Sequence, residues 1–194
     1  MEIIPLITLD GRKIIETNQK TTDAKEIKKL NKDEKVYIFD YDGLEKDKPN
    51  LCLYQNTSKL YTLWIDSGPV NLGDIVDMFM SGASILSIRR NLWDSFSISK
   101  IREITENEIF LEIDLKDVED LENCWHIFDQ ADGIVVFNDK ELINSDYKYG
   151  SFLRRLCDKY KVYTYEQDRN NKHFWEEKGV QGLLVDINKI QEFK

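Results

Sequence analysis

The sequence predicts an α/β fold, and two observations support that prediction. Apolar runs of strand length, several of them nearly continuous in β-branched and aromatic residues, alternate with helical segments along most of the 194 residues. In addition, no linker rich in proline, glycine or serine divides the chain. We therefore expect a single domain, residues 1–194, with parallel strands covered by helices.

Eight runs have the length and composition of strands. They are Ile3–Leu9, Val36–Tyr41, Leu60–Ile65, Ile85–Ile88, Glu108–Leu115, Gly133–Phe137, Lys161–Tyr165 and Gly182–Val185. Eight strands with helices between them describe a compact (βα)8 or TIM barrel, which usually has at least roughly 200 residues. A doubly wound open sheet is the alternative, because it needs fewer strands.

Helix signals lie between these strands. The capping box Thr22-Asp23-x-x-Glu26 predicts the start of the first helix. A second helix is predicted from Asn71 to Ser81 and ends at Gly82. Apolar stripes over Val118–Phe128 and Ser151–Tyr160 predict two more helices.

The acidic composition excludes some classes of partner. The chain has 27 Lys and Arg against 36 Asp and Glu, a net charge of −9. This charge argues against binding to nucleic acid or anionic membranes, where phosphate contacts carry the affinity. No apolar run approaches the roughly 18 residues of a membrane helix, and the first residues lack the layout of a signal peptide. We therefore expect a cytoplasmic protein without nucleic-acid or membrane partners.

Cysteines and histidines are few and scattered. Cys52, Cys124 and Cys157 form no C-x-x-C pair, and His126 and His173 are the only histidines. Zinc and nucleotide-binding motifs are also missing from the sequence. We therefore predict neither a metal centre nor a cofactor.

Short motifs mark several predicted strand ends. They are Ile3-Ile4-Pro5-Leu6-Ile7-Thr8-Leu9, Phe39-Asp40-Tyr41-Asp42-Gly43, Ile65-Asp66-Ser67-Gly68-Pro69 and Ile113-Asp114-Leu115-Lys116-Asp117. Together they resemble the HisA/HisF family, the (βα)8 isomerase and cyclase barrels of histidine biosynthesis. The isomerase of that family interconverts an aminoaldose and an aminoketose with two aspartates, at the ends of strands one and five. The matching positions here are Thr8 and Asp114, and a threonine hydroxyl cannot replace a carboxylate base near neutral pH.

The resemblance also implies two phosphate sites, each a glycine-rich turn whose N–H groups face the anion. The first would comprise Asp66, Ser67 and Gly68 together with Arg89 and Arg90, which stand where the family has Gly-Thr. Side-chain cations could bind an anion there, although two arginines can also begin a solvated helix.

The second phosphate site has lost its glycines. The family has Ser-Gly-Gly after strand seven, whereas this chain has Glu166-Gln167-Asp168, and Asp186 replaces a glycine after strand eight. Carboxylates in a partly desolvated turn repel phosphate, so we predict that this site is lost.

Three further carboxylates have both a functional and a structural interpretation. Asp40 and Asp42 alternate with Ile38, so we expect them to face the pocket at the barrel rim, or else to cap the following turn. Glu112 shares the parity of Asp114 and would point inside the barrel, where an ion pair with Arg89 or Lys116 is the structural alternative.

Two functional hypotheses remain open. In the first, the protein is a HisA-like isomerase for a small sugar phosphate or amino-sugar phosphate, with Asp114, Asp42 and Thr8 in the catalytic site. Ligand contacts would then come from Asp40, Asp66, Ser67, Gly68, Arg89 and Arg90. In the second, the barrel is non-catalytic and binds a ligand or a protein partner. We do not expect the histidine-pathway reaction in either case.

Overall fold

The structure is a computed structural model that describes residues 1–10, 13–15, 21–23, 30–93 and 97–193. Its strands are β1 (Glu2–Asp10), β2 (Lys13–Ile15), β3 (Thr21–Asp23), β4 (Lys35–Asp40), β5 (Thr62–Asp66), β6 (Ala83–Arg89), β7 (Glu108–Ile113), β8 (Gly133–Val136), β9 (Lys161–Tyr165) and β10 (Gly182–Asp186). Its α-helices are α1 (Tyr41–Lys46), α2 (Leu51–Thr57), α3 (Leu72–Met80), α4 (Ile98–Ile104), α5 (Val118–Leu121), α6 (Trp125–Phe128), α7 (Lys140–Ser145), α8 (Tyr147–Lys159), α9 (Lys172–Lys178) and α10 (Ile190–Phe193).

Eight parallel strands close into a ring in the order β1, β4, β5, β6, β7, β8, β9, β10. The ring is closed by parallel pairing of β10 with β1, from Glu2 opposite Gly182 to Leu6 opposite Asp186. The eight predicted strands and the barrel are therefore confirmed, and the open-sheet alternative is wrong. None of the described helices is long and apolar enough to cross a membrane.

A small antiparallel hairpin extends the first barrel strand. The last residues of β1, from Thr8 to Asp10, pair with β2, and β2 pairs with β3. The capping-box prediction at Thr22 and Asp23 is wrong, because both residues belong to strand β3. Glu26, the third residue of that predicted box, lies outside the described residues.

The other helix predictions are largely confirmed. Asn71 and Asp74 form a capping box at the start of α3, and Gly82 follows the helix with a φ of +99°. The predicted stripe over Val118–Phe128 divides into α5 and α6, which are separated by a turn. The helix predicted at Ser151 begins earlier, at Tyr147, because Asp146 caps it by accepting from the backbone N–H of Lys148.

The core has two layers, one inside the barrel and one between the strands and the helices. The inner layer is aromatic, with the Trp64 and Phe110 rings 4.3 Å apart. Two glycines make room for these rings: a Cβ on Gly133 would lie 2.3 Å from Phe110, and one on Gly182 would lie 2.7 Å from Tyr163. The outer layer is mainly aliphatic and contains Ile7, Val36, Ile38, Leu63 and Ile65.

Candidate functional site

The carboxyl ends of the barrel strands carry the polar side chains that the sequence singles out. Thr8, Asp66 and Arg89 lie in the last residues of β1, β5 and β6, and Asp114 directly follows β7. Asp42 lies in α1, just after β4. Active sites of (βα)8 barrels are built at this end, so the candidate site is expected here.

Inside the barrel mouth, the buried Asp66 forms an ion pair with the partly exposed Arg89. The Asp66 carboxylate is completely buried and accepts from Arg89 Nε at 3.3 Å and from a terminal nitrogen of the same guanidinium at 2.9 Å. Tyr37 also donates to Asp66, at 3.3 Å. Arg89 thus points into the barrel as predicted, but its fork is occupied by the protein's own carboxylate.

Glu112 lies beside this pair, directly across the β6–β7 ladder from Arg89. Its Oε1 is 3.6 Å from Arg89 Nε, so the predicted contact between Glu112 and Arg89 is present. Its Oε2 is buried and has no hydrogen-bond partner within the described part of the chain. Burial and then the charge of Asp66 raise the pKa of Glu112 to about 9, although Arg89 acts in the opposite direction. A neutral carboxyl at Glu112 can donate a hydrogen bond to Asp66.

The same network shifts the pKa values of Tyr37 and Arg89. Burial, followed by the negative charges of Asp66 and Glu112, raises the pKa of the Tyr37 hydroxyl well above its ordinary value. Burial lowers the pKa of Arg89, but its acidic neighbours, Asp66 first among them, together outweigh burial, so the net shift is upward. The guanidinium also lies 5.0 Å from the centre of the Phe39 ring.

The other residues of the first predicted phosphate site also make contacts within the protein. Ser67 Oγ donates to the sulfur of Met78 at 3.2 Å, on the helix side of the strand. Gly68, with a φ of +63°, packs against Leu44. Arg90 lies 4.8 Å from the ring centre of Trp93. These contacts give Ser67, Gly68 and Arg90 structural roles. They direct the side chains of Ser67 and Arg90 away from the barrel mouth.

The helix that follows this turn is capped by its own residues. Asp74 Oδ2 accepts from the backbone N–H groups of Val70 and Asn71, at 2.9 and 3.1 Å. Asn71 Oδ1 accepts from the N–H of Asp74 at 3.1 Å. The N–H groups of Val70, Asn71 and Asp74 at the start of α3 are therefore already bonded within the protein.

The second predicted phosphate site contains an anion of its own. Glu166 Oε1 accepts from the backbone N–H groups of Gln167 and Asp168, at 2.7 and 2.8 Å. Glu166 Oε2 accepts from the indole N–H of Trp175 at 2.7 Å. This carboxylate occupies the position of a bound anion in a backbone turn, so the predicted loss of the phosphate site has a geometric basis.

Asp40 does not face the pocket, and that prediction is wrong. Its neighbour Ile38 belongs to the outer core, so Asp40 points toward the helices. The carboxylate is completely buried and accepts from the Tyr54 hydroxyl, from the Asn50 backbone at 2.7 Å and from the Asn50 side chain at 2.9 Å. It also caps α1 through the N–H of Gly43. Asp40 therefore shapes the β4–α2 connection.

Asp42 is mostly buried and lies in the first turn of α1. Lys46, one turn later, donates to Asp42 Oδ1 at 2.6 Å and to Asp10 at 3.4 Å. This ion pair ties α1 to the end of β1.

Asp114 lies at the barrel rim, where it is linked to the neighbouring strand. Its Oδ1 accepts from the Asn138 side chain at 2.7 Å and from the backbone N–H of Lys116 at 2.9 Å. Asn138 in turn accepts from the N–H of Leu115 at 2.7 Å. Thr8 lies in a separate hollow of about 230 Å³, with Leu6, Phe39, Phe137 and Tyr165. The structure therefore places Asp114 and Thr8 in different surroundings.

A larger cleft of about 800 Å³ opens between the loops that follow β8 and β9. It shares Phe137 and Tyr165 with the small hollow, so the two are adjacent. The side chains that line it are mostly polar or charged. They are Phe137, Asn138, Asp139, Lys140, Glu141, Asn144, Tyr165, Glu166, Gln167, Asp168 and Asn171.

Sequence reasoning missed most of this cleft. A signal was available, because Asn138 and Asp139 directly follow the predicted strand Gly133–Phe137 and must therefore lie at the rim. Nothing in the sequence indicates that the loop after β8 faces the loop after β9 across a cavity.

No cluster of three or more His, Cys, Asp or Glu side chains that could hold a metal ion occurs among the residues described. No protein-family model matches the chain, and no curated protein shows significant similarity to it. Any function of this chain therefore has to follow from the structure of the barrel and its rim.

Proposed function

We propose that the protein is a divergent barrel of the HisA/HisF type that binds a small polar molecule and lacks the isomerase reaction. The observation that carries this proposal is the cleft of about 800 Å³ at the carboxyl ends of β8 and β9. Its volume is in the range of small-molecule sites, and its position is the one that (βα)8 proteins use for ligands.

The arrangement around Asp114 argues against the isomerase reaction. General acid–base catalysis needs a second group that can take or give a proton at the substrate. The matching residue on β1 is Thr8, whose hydroxyl lies in a hollow otherwise lined by Leu6 and three aromatic rings. Asp114 therefore lacks the partner carboxylate that the resemblance requires.

The two turns expected to bind phosphate argue against a phosphorylated ligand. Arg89 is paired with Asp66, and the amides of Gln167 and Asp168 are bonded to Glu166. A phosphate bound at either turn would have to displace a buried carboxylate, at the cost of leaving that carboxylate unpaired. We therefore propose a ligand without a phosphate group.

A thermal-shift screen against a metabolite library tests this function. We expect at least one unphosphorylated polar compound to raise the melting temperature. Asn144, exposed on α7 and facing the cleft, offers a way to locate the binding. Asn144→Trp should block the cleft and abolish the shift, whereas Ser145→Trp, the next exposed residue outside the cleft lining, should not. A screen without hits, or hits insensitive to Asn144→Trp, would contradict the proposal.

An isomerase-like enzyme is the second candidate, and one observation favours it. Asp114 is partly exposed at the rim and is joined to Asn138, a residue of the cleft wall. A strain lacking the histidine-pathway isomerase tests the most specific form of this second candidate. We expect no rescue of growth by this protein, and rescue that depends on Asp114 would replace our proposal with this one.

A further inference from the structure

We propose that the cleft between the β8 and β9 loops binds an organic ammonium ion, namely a small hydroxylated molecule that carries a protonated amine. This inference rests on the proposed ligand-binding function and names its ligand class. Three independent features of the cleft support it: its charge, its unpaired hydrogen-bond acceptors and the aromatic rings at its inner end.

The wall of the cleft is strongly acidic. Asp139, Glu141, Glu166 and Asp168 line it, against Lys140 among the described residues, which gives a formal charge of −3. Lys140 is held at one side, because its Nζ donates to Asn171 at 3.2 Å and lies 5.3 Å from the Phe174 ring centre. A cleft with this charge attracts cations and repels anions.

The hydrogen-bond acceptors of the cleft also favour a ligand that donates hydrogen bonds. Gln167 donates through Nε2 to the Tyr165 hydroxyl, and its Oε1 is buried with no partner among the described residues. Asp139 and Asp168 line the cleft and each use Oδ1 for a backbone cap, at 2.7 and 2.9 Å, and none of the described hydrogen bonds involves their Oδ2 atoms. A buried acceptor without a partner is costly, so a ligand N–H or O–H that reaches Gln167 would remove that cost.

Aromatic rings lie at the inner end of the cleft, where it meets the small hollow around Thr8. Phe137 and Tyr165 line both, with ring centres 6.1 Å apart at 33°. Phe39 lines the hollow alone, and its ring centre is 6.3 Å from that of Phe137, at 67°. Ring faces attract ammonium groups, and cups of several rings recognise them. Arg89 also contacts Phe39, but its charge is compensated by the Asp66 carboxylate.

Matched probes separate this ligand class from its alternatives. We would record amide chemical shifts of the full-length protein with glucosamine against glucose, with ethanolamine against ethylene glycol, and with inorganic phosphate. The amine of each pair should bind, with the largest shifts in residues 137–144 and 165–171. Its neutral partner should bind at least roughly fivefold more weakly. Added salt should weaken the binding of the amine, because the difference between the two ligands is electrostatic.

Two variants with the same chemistry test the role of the cleft charge. Asp168→Asn removes one charge from the cleft and keeps an oxygen to cap the N–H of Asn170. Asp146→Asn makes the same change at the start of α8, where Oδ1 caps the N–H of Lys148 at the same distance of 2.9 Å. Asp168→Asn should weaken amine binding roughly twofold to fivefold, as for one exposed ion pair, and Asp146→Asn should leave it unchanged.

The outcomes separate this inference from the function on which it rests. Preferential amine binding that Asp168→Asn weakens supports both. If the metabolite screen finds only neutral or anionic ligands in the cleft, the ligand-binding function stands and the ammonium inference is overturned. If neither amine binds, or both amines bind no better than their neutral partners, the inference is likewise overturned. If no compound of any class binds the cleft, both fall.

Discussion

The two turns on opposite sides of the barrel rim, one after β5 and β6 and the other after β9 and β10, are satisfied in different ways. In the first, a cationic side chain, Arg89, is bound by the buried carboxylate of Asp66. In the second, backbone N–H groups are bound by the carboxylate of Glu166. The first turn has the cation that an anion site needs and the second has the amides, yet both bind a carboxylate of the same chain.

This comparison shows that net charge does not reveal which site is open. From charge alone, the turn with two arginines is the better anion site and the acidic turn is excluded. In the structure, the acidic turn has the amide geometry of an anion site, and in the basic turn the guanidinium fork of Arg89 is occupied by Asp66. Replacing Arg89 in the first turn and Glu166 in the second tests the two arrangements separately.

The largest effect is expected at the basic turn. Replacing Arg89 with Met should lower the free energy of unfolding by about 3–5 kcal/mol, because Asp66 would remain buried without its cation. Urea denaturation measures this loss. Adding Asp66→Asn to the same variant should restore part of the stability, since the uncompensated charge is then removed. A loss below about 1 kcal/mol for Arg89→Met would show that the pair is of little importance.

A somewhat smaller effect is expected at the acidic turn. Glu166→Ala leaves two backbone N–H groups and the Trp175 indole unpaired, which should cost about 2–3 kcal/mol. Sulfate should then raise the melting temperature of the variant and not that of the wild type, because the emptied turn can bind an oxyanion.

Glu119→Ala provides the surface control for this experiment. Its side chain is 87% exposed, so its stability should change by at most about 0.5 kcal/mol, with no response to sulfate. Equal sulfate effects on Glu166→Ala and on the wild type would contradict the interpretation of Glu166 as an internal anion.

The third prediction concerns the pH dependence of the basic turn. The pKa of Glu112 rises from 4.5 to about 9 on folding, so the native state retains a proton that the unfolded chain releases. This contribution to stability is complete below pH 4.5 and is lost as pH rises toward 9, by at most about 1.4 kcal/mol per pH unit.

Glu112→Gln copies the neutral carboxyl and should remove that loss. Its stability should match the wild type near pH 4.5 and exceed it by at most about 2 kcal/mol at pH 6. Denaturant titrations of both proteins across this range measure the difference. Parallel stability curves would mean that Glu112 is ionised in the folded protein.

The ring of strands was predictable because each barrel strand is a short apolar run, and the Glu112–Arg89 pair followed from side-chain parity on neighbouring strands. The orientation of Asp40 was not predictable from the sequence. Both faces of these strands are apolar, so the pattern does not show that Tyr37 and Phe39 face inward while Ile38 faces outward.

The candidate site was harder to predict than the fold because it depends on loop geometry. Glu166 could be recognised as acidic, but its return onto the amides of Gln167 and Asp168 depends on the conformation of three consecutive residues. The cleft depends on Asn138 and Gln167, which lie in different loops and meet only after the barrel has closed. Short sequence motifs carry neither kind of information.

The smallest effect is expected at Arg90, which is the matched control for its neighbour. Arg89 and Arg90 have the same side chain and charge, but Arg90 lies outside the barrel, 4.8 Å from the ring centre of Trp93. Arg90→Ala should cost about 0.5–1 kcal/mol, the worth of an exposed cation–π contact. It should also leave the pH dependence governed by Glu112 unchanged. A loss as large as that of Arg89→Met, measured in the same urea titrations, would show that the basic turn depends on total positive charge and not on the buried pair with Asp66.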